Sequence, residues 1–174
     1  MDLPHGRIDS GGPDRERLVA LPAAWFGDVL ESLAECHGAF ADRLAGAIVA
    51  EAAASLDDPD GCAPDEVAWA LSLAFARRGL GLAAFERWGD ALLFVWRAAP
   101  AEGPMFREFA SRLAARAVGE LLRLSADGVV VGADDGELRI LLASADTCHR
   151  VRGLTADGLS HESVMALLTP GDDA

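Results

Sequence analysis

The 174-residue chain contains no lysine, tyrosine, asparagine or glutamine, and all 15 of its basic residues are arginine. The missing lysine excludes a Schiff-base nucleophile and a phosphate-binding loop that ends in Lys. The missing tyrosine and amides exclude a catalytic phenol and amide-based reading of base edges. Such a bias is the mark of a GC-rich, bacterial genome. Cysteine is sparse as well: Cys36, Cys62 and Cys148 form an odd, widely spaced set, which fits a reduced, cytoplasmic protein better than a disulfide framework. The opening Met1-Asp2-Leu3-Pro4-His5-Gly6 lacks the basic-then-apolar pattern of a signal peptide. The longest strongly apolar run, 91–96, falls far short of a membrane span.

What is present is apolar and acidic. Hydrophobic residues make up 51% of the chain, and 28 Asp and Glu against the arginines leave a formal charge of −13. Like charge repels phosphate backbones and anionic lipid, so nucleic acid is not an expected partner. The length suits one domain, able to bury roughly 70% of the surface its unfolded form exposes without help from a disulfide or a metal.

Glycine and proline punctuate the sequence. Residues 1–17, with Gly6, Gly11, Gly12 and Pro13 among charges, read as a flexible N-terminal arm. Residues 18–145 read as a single α+β domain, and 146–174 as a C-terminal extension. Pro22 opens a first helix over 22–37, with Trp25, Phe26, Val29, Leu30 and Leu33 at helical spacing and Gly38 as a left-handed stop. A second helix over 39–56 carries Phe40, Leu44, Ile48 and Ala52 on one stripe among alanines that permit close helix approach. Pro64-Asp65-Glu66 opens a third, whose acidic first turn suits the positive helix end and which Gly79 terminates. Runs 82–87 and 91–97 flank Trp88-Gly89-Asp90 as a β-hairpin. A long helix follows Pro104, with Phe106, Phe109, Leu113, Ala117, Leu121 and Leu124 on its apolar face. Val129-Val130-Val131 and 138–143 form a second hairpin about Asp134-Asp135-Gly136. Ser160 caps a short terminal helix that has Val164, Leu167 and Leu168 on its apolar side, and the chain loosens from Pro170. The fold class is therefore α+β: three N-terminal helices, hairpin, long helix, hairpin, and a short C-terminal helix, with helices covering a four-stranded antiparallel sheet.

Chemistry-bearing motifs are few. Gly79-Leu80-Gly81-Leu82-Ala83-Ala84 has the letters of a dinucleotide fingerprint, but a helix precedes it and a strand follows, the reverse of what pyrophosphate binding needs. Its glycines are read as turning the chain. Cys36-His37 and Cys148-His149, with Cys62 or His161, supply zinc-type ligands at spacings unlike any zinc knuckle, so no metal is expected. Asp57-Asp58-Pro59-Asp60-Gly61 lacks the spaced ligands and terminal Glu of a calcium loop. None of Ser111, Ser125, Ser144 and Ser160 sits in a nucleophile elbow. Neither a catalytic residue nor a cofactor follows from the sequence, and the chain reads as a non-enzyme.

The aromatics carry more. Along the second strand Leu92, Phe94 and Trp96 share one side and Leu93 and Val95 the other, so the sheet is apolar on both faces. A two-layer domain covers one face with its own helices, and the second then calls for a ligand, another subunit or the chain's own loops.

Leu21-Pro22 ahead of an aromatic-rich first helix, Gly79-Leu80-Gly81 between third helix and hairpin, and the 106–124 helix leading into the last hairpin together resemble the 4-vinyl reductase-type small-molecule-binding domain. That domain is related to transport-particle (TRAPP) subunits and, more distantly, to heme nitric-oxide-binding domains. The resemblance covers about 18–143. It implies an α+β domain that dimerises through its first helices and holds apolar or aromatic molecules between helices and sheet. Zinc-binding relatives carry cysteines in the terminal hairpin, and heme-binding relatives a tyrosine motif; this chain has neither.

Two functional expectations result. The first is a non-catalytic cytoplasmic adaptor or regulatory module that acts on another protein as a homodimer, with Trp25, Leu44, Ala45 and Ile48 at the two-fold interface. The alternative is a sensor for a small apolar or aromatic ligand between helices and sheet, lined by Trp88, Trp96 and Phe106, with Arg112 as an anchor for a ligand carboxylate.

Overall fold

The computed structural model describes residues 7–9, 17–19, 23–33, 35–56, 61–88, 91–134 and 136–168. Pro22, Asp57 to Asp60, Gly89, Asp90, Asp135, Pro170 and the glycines of the arm lie outside the described residues, as do the side chains of Trp25, Trp88 and His161. β1 (Arg7–Asp9), within the span read as an arm, pairs antiparallel with β2 (Arg17–Val19), which straddles the end of that span, as a two-stranded ribbon separate from the main sheet.

Three helices come next: α1 (Ala23–Ser32), α2 (His37–Ala54) and α3 (Pro64–Arg77). Gly38 does not stop α1; it sits in the first turn of α2, where a Cβ would lie 3.2 Å from Nη1 of Arg112. Its bareness makes room for a guanidinium instead of a left-handed turn. Pro64 opens α3, and the Glu66 side chain accepts a hydrogen bond from the Ala63 amide at 2.9 Å, satisfying one of the orphan donors of the first turn. At the other end Leu80 N–H bonds the Phe75 carbonyl at 3.0 Å while Gly79 takes φ +68°, a left-handed helix stop. Gly81 follows at φ +90°, with the carbonyls of Arg97 and Ala98 against the place a Cβ would occupy. The glycines of the 79–84 motif thus serve the α3-to-strand corner.

The main sheet has the order β3-β4-β6-β5, all antiparallel, from β3 (Leu82–Trp88), β4 (Ala91–Arg97), β5 (Asp127–Asp134) and β6 (Glu137–Ala143). A register shift between Val130 and Gly132 puts a bulge in the edge strand β5. Between the hairpins runs α4 (Pro104–Leu122), which buries Phe106, Phe109, Ala110, Leu113, Ala114 and Ala117 on one face. This helix lies directly on β5, because a Cβ at Gly128 would collide with the Ser111 carbonyl oxygen.

The alternation along β4 is as the sequence implies. Phe94 and Trp96 join the core beneath α2, α3 and α4, and Leu93 and Val95 point the other way. The two-layer expectation is corrected, however. Residues read as an extension form α5 (Ala145–Ala156) and α6 (His161–Leu168), and Cys148, Val151 and Val164 pack on Leu93, Val95, Val129, Val131 and Leu141. The chain's own C-terminal helices cover the second apolar face, giving three layers with a sheet in the middle. Ser144 caps α5 by accepting from the Thr147 amide at 3.3 Å, and Ser160 caps α6 by accepting from the Ser163 amide at 3.3 Å. Burial of Cys148 pushes its thiol pKa up, which keeps it protonated as a small apolar filler.

A carboxylate placed under α5 tests this layer. Val151→Asp should cost about 3 kcal/mol or more, lowering the midpoint of thermal unfolding and raising binding of a hydrophobic dye. An unchanged midpoint would mean that α5 does not hold the sheet.

Candidate functional site

All seven phenylalanines and Trp96 form one connected seam of rings between the helices and the sheet. From the sheet side, Phe85 meets Phe94 at 5.4 Å and Phe94 meets Phe75 at 5.5 Å. Phe75 stands edge-on to Trp96 at 5.1 Å, and Trp96 lies 5.4 Å from Phe106. Phe106 leads to Phe109 at 6.1 Å, and Phe109 stacks on Phe40 at 5.6 Å. Phe26 of α1 closes the seam against Phe40, Phe106 and Phe109. Edge-to-face and offset ring pairs of this kind contribute about 0.5–1.5 kcal/mol each beyond the area they bury. Alanines of α2, α3 and α4 back the rings and let the helices approach.

Trp96 is the centre of the seam and is 0% exposed. A buried indole N–H needs an acceptor, and the Leu80 carbonyl at the α3-to-β3 corner provides it. Among the described residues no buried side chain is polar or charged. The layer therefore offers dispersion and ring quadrupoles to a guest, with Trp96 as its polar feature.

The structure splits the sequence-proposed ligand set. It joins Trp96 to Phe106 inside the seam and places Arg112 outside it, exposed at the edge of α4 that borders α2. There the Arg112 Nε and Nη2 donate to Asp42 of α2 at 2.9 and 2.6 Å, a bidentate pair. These hydrogen bonds hold the Asp42 carboxyl below its ordinary range, outweighing the opposing effect of burial with added help from the charges of Arg112 and Arg116. The same pairing raises the pKa of Arg112.

The proposed interface residues are also placed. Ala45 and Ile48 are 0% exposed within one chain, where α2 packs on its neighbouring helices, and Leu44 is half-buried against that core. The stripe that suggested a two-fold surface is turned inward, because α2 and α4 meet through it. Among the described residues Trp69 is the aromatic that stands out in water, 62% exposed, beside a surface groove of about 560 Å³ at the start of α3.

A groove of about 640 Å³ runs between α4 and β5. Arg107, Arg112 and Arg116 of α4 and Arg152 of α5 line it, facing Asp127 and Val130 of β5. Arg152 Nη2 donates to Asp127 Oδ2 and to the Gly128 carbonyl, both at 2.9 Å. Sequence reasoning missed this groove, since α5 was not anticipated; the arginines at 107, 112 and 116 on the polar face of α4 were its one visible sign. Among the described residues no three His, Cys, Asp or Glu side chains gather to hold a metal, and no helix is long and apolar enough to cross a membrane.

No family model matches the chain, and no curated protein does. The resemblance to 4-vinyl reductase-type and TRAPP-type domains thus rests on element order. Among solved structures, the phenol-responsive sensory domain of the transcription activator PoxR, crystallised with phenol, is similar to it with a TM-score of 0.56. Identity is 13%, and the match covers 82% of this chain and 84% of that one. The likeness is one of fold.

The Asp42–Arg112 pair sets a pH-dependent part of the link between α2 and α4. A carboxylate whose folded pKa is depressed stabilises above its unfolded value of about 4 and loses that contribution as pH falls through the folded value. Asp42→Asn should cost about 0.5–1 kcal/mol at pH 7, as an exposed pair does, and close to nothing near pH 2. Urea unfolding of both proteins at the two pH values measures it; an equal cost at both would reject the ion pair.

Proposed function

We propose that this chain is a sensory domain for a small apolar or aromatic molecule, which it holds in the ring seam between the helices and the sheet. The observation that carries the reading is the continuous seam itself, centred on Trp96 and Phe106, in a fold shared with a domain described as phenol-responsive. Rings already touch across the layer, so a guest enters by displacing side chains. The displacement falls on α1, α2 and α4, whose rings Phe26, Phe40 and Phe109 pack on one another. Binding energy spent on moving these helices is the means by which such a domain reports occupancy.

In this reading the domain is cytoplasmic and non-catalytic, and a protein partner receives the signal. It is favoured over a pure adaptor because α2 uses Ala45 and Ile48 in its own core, which withdraws two of the four residues that the adaptor reading put at its interface. A homodimer, where it forms, does not rest on Ala45 or Ile48.

The test is thermal stabilisation by neutral aromatics such as toluene, phenol and indole. At a hundredfold excess over Kd, binding adds about 2.7 kcal/mol, or roughly 5–10 °C for a chain of this size. Trp96→Phe should reduce the shift severalfold, and Trp69→Phe, at the exposed indole, should leave it unchanged. Absence of any shift across the panel, or equal loss in the two variants, overturns the reading.

A further inference from the structure

The arginines of α4 point to a second site that is independent of the ring seam. We propose that the groove between α4 and β5 binds a small organic monocarboxylate with an apolar body.

Size is the first consideration: about 640 Å³ lies within the range of small-molecule sites. Charge is the second. Four guanidinium groups from two helices converge here on a chain of net charge −13. Three are held in place. Arg112 is fixed by both oxygens of Asp42, Arg116 by Glu120 at 2.6 Å with Asp42 at 3.8 Å, and Arg152 by Asp127 and the Gly128 carbonyl. A guanidinium has five N–H donors, and Arg112 spends two of them on Asp42. Anchored in this way, the arginines present their remaining donors without the entropy cost of ordering a free side chain.

The fourth, Arg107, is different. Its guanidinium makes no hydrogen bond or ion pair among the described residues. Glu108, the carboxylate nearest to it in sequence, faces His37 Nε2 at 3.3 Å. With Glu108 facing His37, the carboxylates of Asp42, Glu120 and Asp127 are set against Arg112, Arg116 and Arg152, and Arg107 remains as the one unspent cation of the four. That balance selects one negative charge. A dianionic phosphate or a multiply acidic peptide would carry its second charge into a site with nothing left to meet it, on a surface that repels anions at longer range. Ala115, Ala126 and Val130 supply apolar lining for the ligand body. A carboxylate also matches the planar fork of Arg107 with two parallel hydrogen bonds.

Sodium benzoate against its neutral isostere benzamide is the experiment, read by titration calorimetry on the intact chain at low salt. Benzoate should bind at least tenfold more tightly than benzamide and weaken with added salt. Arg107→Ala, at an exposed position that leaves the core untouched, should remove at least tenfold of the benzoate affinity. Glu108→Gln should raise it severalfold, and Trp96→Phe should leave it unchanged. Equal binding of benzoate and benzamide overturns the proposal, as does an Arg107→Ala protein that binds benzoate normally. A benzoate response that follows Trp96→Phe instead of Arg107→Ala also overturns it, by placing the carboxylate in the ring seam, and leaves the sensory reading standing.

Discussion

The hydrogen bond from the Trp96 indole to the Leu80 carbonyl governs the way the layers meet. An indole fully removed from water has to give its proton to an acceptor, and here the acceptor is a backbone carbonyl at the bend where α3 becomes β3. That bend exists because Gly79 and Gly81 take left-handed conformations open to few other residues. The bond therefore fixes the register of β4 against the α3-to-β3 corner. With Trp96 pinned, its faces and edges are available to Phe75, Phe94 and Phe106, and the rest of the seam assembles outward from it.

Much of this fold is written in hydrophobic period. The alternation of Leu92, Phe94 and Trp96 with Leu93 and Val95, and the spacing of Phe106, Phe109 and Leu113, assign strand and helix and say which side faces inward. α5 was illegible for the same reason. Its stretch Ala145–Ala156 has Cys148, Val151 and Leu154 as its packed residues, a stripe one side chain wide, with Gly153 inside it. Only the Ser144 cap marked its start, and the helix owes its stability to the sheet face it covers more than to its own sequence.

The candidate site was half legible. Trp96 and Phe106 are apolar, aromatic and in phase with the core, and they do meet. Arg112 was grouped with them from its membership of the same helix, but six residues at about 100° each carry it roughly 240° around the axis. The alanines of α2 were correctly read as permitting close approach. What periodicity does not contain is the identity of the approaching helix, and α4 of the same chain takes the place expected of a second copy. Asp42, which ties those two helices together through Arg112, had no sequence signal because its partner lies seventy positions away.

The contact at Gly128 is backbone on backbone. Most helices rest on a sheet through side chains, a cushion of rotamers that absorbs small movements by repacking. Here Ser111 and Gly128 meet with no such cushion between α4 and the start of β5. Arg152 grips the Gly128 carbonyl from α5, on the far side of the sheet. The long helix thus has a short route to the opposite layer, through an approach that a missing methyl group makes possible.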